Sequence, residues 1–199
     1  MSLLPYLSIL RNLKTTGRTG WLNHGIPHPE SIADHMYRMA MICVSACPPA
    51  LDQHRCIKIA LVHDVAEAIV GDITPVDGIS KEEKHRLEKD AFDHIARLLP
   101  HSSATDILAL WNEYEAAATP EALFVKDVDK YELLLQTLEY EKQYGGFKDL
   151  GVFISARNAI STDIVKSWAD EIIHLRLQFW SALNKEIAQD GSIIGGPLH

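Results

Sequence analysis

The sequence has an acidic balance, few cysteines and no long apolar run. Its 19 lysine and arginine residues are outnumbered by 27 aspartate and glutamate residues, which gives a net charge of -8. Non-specific binding to nucleic acid or to an anionic membrane needs a basic surface, so this balance argues against both. No apolar stretch approaches the roughly 20 residues that span a bilayer. We therefore expect neither a nucleic-acid nor a membrane partner, although a local basic cluster could bind a small anion.

The cysteines do not form a disulfide framework. Cys43 and Cys47 are spaced as neighbours on one helical face and not as a CxxC redox pair, and Cys56 brings the count to an odd 3. Buried, reduced thiols are the simplest interpretation. The first residues show neither a basic region nor a small-residue cleavage site of a secretory signal. Together these features favour a reducing compartment, the cytoplasm or alternatively the nucleus.

Helical periodicity dominates the sequence, and alternating strand patterns are nearly absent. With 199 residues and a hydrophobic content of 47%, the chain can form one sizeable core. No repeat and no linker divides it. We therefore predict a single all-α domain over residues 1–190, followed by a flexible tail at 191–199 that contains glycine and proline.

Capping and helix-breaking residues set the predicted helix boundaries. A first short helix ends near Gly17, and the loop that follows it over 17–29 is too long to be a simple connector. The remaining helices are expected, in order, over residues 31–47, 52–71, 80–99, 103–117, 119–145, 150–159 and 162–188. The helix over 52–71 is predicted to be unbroken.

An imidazole and a carboxylate stand side by side at His63 and Asp64, within an otherwise apolar segment. Burying this pair is costly unless something compensates. A divalent metal would do so, because neutral His and ionised Asp are both ordinary ligands. Glu67 follows one helical turn after His63, so a helix would place all three on one face. The pattern favours a hydrolytic metal centre.

Two further polar residues on apolar helical faces are candidates to complete this site. His35 lies among the apolar residues of the helix predicted at 31–47. Asp127 and Asp129 compete for the same role in the long helix. Asp129 has Val125 and Leu133 one turn away on either side, which favours an inward direction for its side chain. Each residue alone is more simply a hydrogen-bonded core residue, but together they favour a metal site.

Four residues reproduce the ordered H…HD…D pattern of the HD-domain metal-dependent phosphohydrolases, namely His35, His63, Asp64 and Asp129. Four segments are similar to those of the branch that contains 5′-deoxynucleotidases, in particular its small eukaryotic members: Glu30–His35, His63–Glu67, Gly71–Pro75 and Val125–Leu133. The resemblance covers about residues 5 to 180. It implies a helical HD fold that removes the 5′-phosphate of deoxynucleoside 5′-monophosphates.

The same resemblance implies that these four residues bind one divalent ion. Two imidazoles and two carboxylates suit Mn, Co, Fe, Ni or Zn better than Mg. The resemblance also leaves room for a second, weaker ion at Glu67, Asp72 and the carbonyl of Ile73, an all-oxygen set that suits Mg. The extra histidines of the family's two-metal cyclic-dinucleotide branch are missing, which disfavours a phosphodiesterase.

Glu67 and Asp72 are the candidates for catalytic proton transfer, towards the attacking water or the leaving 5′-oxygen. Their alternatives are a solvated helix residue and a turn or cap residue. Arg18 is a candidate to bind the substrate phosphate, and Trp21 to pack on its sugar or base. Related bacterial nucleotidases carry Arg and Trp side by side, whereas two residues intervene here, and the alternative for Trp21 is a loop anchor.

Two other functions stay open at this point. A nucleotide triphospho- or pyrophosphohydrolase would need a basic cluster, and only the scattered Lys81, Lys84 and Arg86 are available. A metal-stabilised scaffold without turnover would not need Glu67 or Asp72. A small-molecule nucleotide is the expected partner. Excess apolar surface on the last helix is consistent with the homodimer that the resemblance implies.

Overall fold

Helices make up most of residues 2–188 and 191–194, which are the part of the chain that the computed structural model describes. The all-α prediction is confirmed: within these residues, the only sheet is a two-stranded antiparallel pair. The chain divides into two compact units at Ala122 and Leu123. The prediction of one domain over 1–190 stays a prediction. None of the described helices is both long enough and apolar enough to cross a bilayer.

The first unit is built from seven α-helices in its described residues. They are α1 Leu4–Leu10, α2 Thr19–Asn23, α3 Ile32–Ala46, α4 Gln53–Val62, α5 Glu67–Val70, α6 Lys81–Ala96 and α7 His101–Ala116, with 3₁₀ turns at Arg11–Lys14 and Pro75–Asp77. Helix α3 packs on α4, and α6 packs on α7.

The apolar faces of these helices meet in a common core. Its largest members include Ile32, Met36, Phe92, Ile95 and Trp111. Full burial of a side chain of this size stabilises the fold by about 1.5–3 kcal/mol. The core therefore fixes the helices that carry the polar residues discussed below.

Side-chain caps set the starts of two helices as predicted. Ser31 Oγ accepts a hydrogen bond from Asp34 N at 3.1 Å, and Asp34 Oδ2 accepts one from Ser31 N at 2.8 Å. This reciprocal pair is a capping box, which satisfies two N–H groups that an uncapped helix leaves unpaired. Ser80 Oγ likewise accepts from Glu83 N at 3.1 Å at the start of α6.

The prediction of an unbroken helix over 52–71 is wrong. Helix α4 ends at Val62 and α5 begins at Glu67. In between, Val65 N donates to Val62 O at 3.0 Å and Glu67 N donates to Asp64 O at 3.0 Å. These i to i+3 hydrogen bonds belong to a tighter turn than an α-helix. Hydrophobic periodicity did not reveal the break because apolar residues continue on both sides of it.

The predicted loop over 17–29 contains the short helix α2, which the sequence analysis missed. The base of this loop is closed by an antiparallel bridge between Gly17 and Ser31. A Cβ atom at Gly17 would lie 2.9 Å from Pro29 Cγ, so the close approach of the two chain segments requires glycine.

The second unit contains most of α8, Pro120–Gln143, which begins just before the division between the units. It also contains a 3₁₀ segment Gly151–Ala159, α9 Asp163–Ala182, and the strands β1 Glu186–Ile187 and β2 Ile193–Ile194. The predicted helix over 162–188 is therefore too long, and its last residues form β1. Of the predicted tail at 191–199, residues 193–194 form β2, whereas 195–199 lie outside the described residues.

A buried ion pair holds the start of the predicted tail in the second unit. Arg176 Nε and Nη2 donate to the Glu141 carboxylate, each at 2.8 Å. Trp180 Nε1 and Leu150 N donate to the same carboxylate at 2.8 and 3.0 Å. Arg176 Nη1 donates to the carbonyl of Gly191 at 2.8 Å, which attaches the tail to α9. No pattern in the sequence distinguishes this attachment from a loose glycine-containing end.

Candidate metal centre

His63 caps the C-terminal end of α4, and a backbone carbonyl fixes its ring. His63 Nδ1 lies 3.0 Å from Ala60 O. A carbonyl oxygen can only accept a hydrogen bond, so Nδ1 carries the hydrogen and Nε2 of the neutral ring keeps a lone pair. That Nε2 lies 3.1 Å from Asp64 Oδ2. The ring is therefore oriented as a metal ligand through Nε2, with a carbonyl partner of the kind that supports ligating histidines.

His35 reaches the same place from α3. Its Nε2 lies 3.9 Å from Asp64 Oδ2, and its ring centroid lies 5.7 Å from that of His63. The ligand atoms of His35, His63 and Asp64 all lie within 4.8 Å of one another. Both histidines are buried, whereas Asp64 is partly exposed. Two imidazole nitrogens and one carboxylate oxygen at this spacing fit a first-row divalent ion.

The surroundings of Asp64 keep its carboxylate ionised. Burial opposes the charge, but the guanidinium of Arg18 and the rings of His63 and His35, where these are protonated, together lower the pKa of Asp64 well below its ordinary range. Arg18 Nη1 lies 3.4 Å from Asp64 Oδ2. An ionised carboxylate is the form that binds a cation.

Glu67 is a buried carboxyl group at the start of α5, 3% exposed. Among the described residues, its Oε2 atom has no hydrogen-bond partner. Burial raises its pKa, and the neighbouring charges of Asp64 and Asp72 raise it further. A buried carboxylate oxygen without a partner is costly unless it is protonated or meets a cation. We therefore expect Glu67 to be either protonated or in contact with a cation.

Asp72 contacts the backbone of the loop that carries Arg18. Its Oδ2 accepts a hydrogen bond from Thr19 N at 2.6 Å, at the first residue of α2. This contact matches the cap role that the sequence analysis left as the alternative for Asp72. It holds the chain next to Arg18, so Asp72 positions the guanidinium that lies beside Asp64.

Trp21 is 1% exposed, and its Nε1 donates to Glu30 Oε1 at 3.0 Å. A ring this deeply buried has no free face for a sugar or base. The structure favours the loop anchor over the predicted substrate contact. Hydrophobicity alone did not separate the two roles, because a tryptophan in a glycine-rich loop suits either.

Lys84 is a site residue that the sequence analysis treated as scattered charge. Its Nζ donates to Ile73 O at 3.2 Å and lies 3.4 Å from Glu88 Oε1. Burial lowers the pKa of Lys84, but Glu88, Glu67 and Asp64 outweigh this and raise it. The lysine is therefore an ammonium ion beside the acidic groups. The sequence alone does not identify Lys84 as a site residue, because its contacts form only when the fold brings α5 and α6 together.

In the second unit, the structure separates the two competing aspartates of α8. Asp127 is 2% exposed, and its carboxylate accepts from Ser161 N, Ser161 Oγ and Thr162 N at 3.0, 3.0 and 2.7 Å. It binds the two residues that directly precede α9. Asp129 is partly exposed on the same helix. The ligand role of Asp129 stays a prediction.

The helical fold and the His/His/Asp cluster define a class of protein. The HD-domain family model matches residues 10–172, which is most of the chain and runs across both units. The chain belongs to the HD-domain family.

Particular members of this family resemble the chain over much of its length. The 5′-deoxynucleotidase hdd1 of Schizosaccharomyces pombe is 49% identical over 190 residues, which covers 94% of this chain and 96% of that protein. The 5′-deoxynucleotidase HDDC2 of Homo sapiens is 48% identical over 140 residues, 70% of this chain and 69% of that protein. The solved structure of the HD domain-containing protein YGK1 matches with a TM-score of 0.66 and 33% identity, covering 88% of this chain and 85% of that one.

Proposed function

We propose that this chain is a metal-dependent 5′-deoxynucleotidase, which hydrolyses deoxynucleoside 5′-monophosphates to deoxynucleosides and phosphate. The observation that carries the proposal is the convergence of His35, His63 and Asp64, with their ligand atoms within 4.8 Å. Two relatives that share almost half of their aligned residues with this chain are named 5′-deoxynucleotidases, which supports the substrate class.

His35, His63 and Asp64 would hold the ion in the first unit. We assign Asp129 as the fourth ligand because it completes the ordered sequence pattern and because Asp127 is engaged at the start of α9. The donor set favours Mn, Co, Fe, Ni or Zn over Mg. When bound, such an ion lowers the pKa of a water molecule and neutralises charge that develops on the phosphoryl group.

Glu67 is our assignment for proton transfer. Hydrolysis forms a bond from the water oxygen to phosphorus and breaks the bond from phosphorus to the 5′-oxygen, so a proton must leave the water and another must reach the leaving oxygen. The unpartnered Oε2 of buried Glu67 can exchange such a proton. Asp72 stays the second candidate, although its bond to Thr19 N gives it a positioning role first.

Arg18 is our assignment for phosphate binding. Its guanidinium lies 3.4 Å from Asp64 Oδ2, beside the ligand cluster, and Asp72 holds the adjoining backbone. A guanidinium offers two parallel N–H groups to a phosphate. Three further expectations belong to the proposal: a small-molecule nucleotide as substrate, a homodimer, and a location in the cytoplasm or nucleus.

The deciding experiment measures phosphate release by metal-stripped protein that has been resupplied with Mn²⁺, Co²⁺ or Mg²⁺. The substrates are 5′-dNMPs, 5′-NMPs, 3′-dNMPs and dNTPs. We expect metal-dependent release that is highest with 5′-dNMPs. Pyrophosphate or triphosphate from dNTPs would instead indicate the triphospho- or pyrophosphohydrolase. Bound metal without turnover on any substrate would indicate the scaffold.

A matched pair of variants tests the site itself. His63→Ala should remove both the bound ion and the activity, because it deletes one of the clustered ligand atoms. His54→Ala is the control, since His54 is exposed on the same helix. If His63→Ala retained the metal content and turnover of the control, the assigned site would be wrong.

A further inference from the structure

An ammonium group lies among the oxygen atoms next to the metal centre. We call the set formed by Glu67, Asp72 and the carbonyl of Ile73 the acidic pocket. Lys84 Nζ donates to Ile73 O at 3.2 Å. Its charge also interacts with the buried carboxyl group of Glu67. The acidic pocket thus already has a cation that belongs to the chain.

The oxygen atoms of the acidic pocket are the ones that the family resemblance offers to a second divalent ion. Two of the three groups already have donors: Ile73 O accepts from Lys84 Nζ, and Asp72 Oδ2 accepts from Thr19 N. The buried Oε2 of Glu67 has no hydrogen-bond partner among the described residues. A divalent ion at Ile73 O would be within the repulsive field of the ammonium group. The residues as arranged therefore do not fit a second ion.

The arrangement of Lys84 is fixed by more than one contact. Its Nζ lies 3.4 Å from Glu88 Oε1, one turn further along α6. Glu88 is buried on the face of α6 that packs on the rest of the first unit. The lysine is therefore held between the carboxylate of its own helix and the carbonyl that follows α5. A solvated surface lysine would have neither contact.

We propose that Lys84 is the resident cation of the acidic pocket and takes the place of a second divalent ion, so that the protein binds one ion per chain. Its ammonium group then supplies the positive charge that interacts with Glu67. This proposal rests on the metal centre assigned under the proposed function, but not on the identity of the substrate.

The test counts bound ions without using substrate. Metal-stripped protein is dialysed against a series of Mn²⁺ or Mg²⁺ concentrations, and the metal content per chain is measured by mass spectrometry. The wild type should saturate at one ion. Lys84→Met should bind a second ion at least about tenfold more tightly than the wild type does, because a like charge is removed.

Three companion variants make the result specific. Lys84→Arg keeps the positive charge and should restore a single ion. Lys84→Gln keeps a donor for Ile73 O but loses the charge, so it should behave like Lys84→Met and covers the case in which the latter does not fold. Lys81→Met removes an exposed charge one turn earlier and should leave the count unchanged.

Two outcomes would overturn the proposal: a wild type that binds two ions, or folded Lys84→Met and Lys84→Gln proteins that still bind only one. Neither outcome touches the nucleotidase assignment, which is measured by phosphate release. Conversely, the protein could be inactive on every nucleotide and still bind one ion as wild type and two ions after loss of Lys84. That result would support Lys84 as the resident cation and contradict the proposed activity.

Discussion

The carboxylate of Asp127 accepts a hydrogen bond from the backbone N–H of Thr162 at 2.7 Å, and so holds the residue that directly precedes α9. Asp129 lies only two residues further along α8. Residues two apart on a helix do not share a face. The two aspartates are therefore directed to different surroundings, and chemically identical side chains have separate roles.

Replacing Asp127 should mainly lower stability, whereas replacing Asp129 should mainly lower metal binding. Asp127→Ala removes the acceptor of the backbone N–H groups of Ser161 and Thr162, so we expect the free energy of unfolding to fall by about 1–3 kcal/mol. Asp129→Ala should lower the metal content and the activity with a much smaller change in stability. Urea denaturation and metal analysis of both variants provide the measurements. Equal stability losses in the two variants would contradict this division of roles.

The ion pair between Glu141 and Arg176 should be among the most sensitive positions of the second unit. Glu141→Gln leaves the buried guanidinium of Arg176 with the partly exposed carboxylate of Asp149, at 3.3 Å, as its remaining counter-charge, and we expect a loss of about 3 kcal/mol in unfolding free energy. The surface pair of Arg157 and Asp170 is the control, because the Asp170 side chain is 60% exposed. Asp170→Asn should cost less than about 1 kcal/mol. Similar chemical denaturation midpoints for the two variants would rule out this difference.

Arg18 and Asp72 should act as a coupled pair in catalysis. Arg18→Ala removes the proposed phosphate contact and should lower kcat/KM by about a hundredfold or more, with little rescue by lysine, whose single ammonium cannot bind bidentately. Asp72→Ala releases the backbone beside Arg18 and should act in the same direction. If Asp72 works through Arg18, the double variant should lose less than the product of the two single losses.

The pH dependence of kcat distinguishes this positioning role from proton transfer. Loss of a positioning residue should leave the shape of the kcat profile unchanged. If the acidic or the basic limb of the kcat profile disappeared in Asp72→Ala, this would instead show that Asp72 transfers a proton.

Glu113 should contribute to stability in a pH-dependent way. Burial opposes its charge, but hydrogen bonds from Arg55 and Thr119 lower its pKa below the ordinary value. Because the folded-state pKa is the lower one, the stabilisation is present above the unfolded-state pKa of about 4.3 and is lost as the pH falls through the folded-state value. Glu113→Gln should therefore be less stable at neutral pH by about 1–3 kcal/mol.

The expected signature is a difference between wild type and Glu113→Gln that narrows in acid. Thermal or urea unfolding at a series of pH values from neutral to below the ordinary glutamate pKa measures it. A difference that stayed constant over this range would mean that the carboxylate charge of Glu113 does not contribute.

The sequence predicted the features that depend on neighbours along the chain. The helix starts at Ser31 and Ser80 were predicted correctly, because a serine side chain at the start of a helix accepts a hydrogen bond from a nearby backbone N–H group. The convergence of His35 with His63 and Asp64 was inferred from residue type and resemblance, and the structure places their ligand atoms together.

Other features depend on packing between distant segments, and the sequence did not reveal them. Lys84 contacts the carbonyl of Ile73 only because α6 folds back against the turn that follows α5. Asp127 binds the chain just before a helix that begins more than thirty residues later. Trp21 is a ring whose burial depends on the closed base of its loop. In each case the deciding contact lies beyond the reach of a local pattern.

The break between α4 and α5 determines the chemistry of His63. In a continuous α-helix, the carbonyl of Ala60 would accept the N–H of Asp64. At the break, the ring nitrogen Nδ1 of His63 donates to the carbonyl of Ala60 instead, at 3.0 Å. The backbone thereby selects the tautomer and the rotamer of the ring before any ligand arrives, and an incoming ion does not have to order either one. The interruption of the helical hydrogen bonds after Val62 thus determines that His63 presents Nε2 to a ligand.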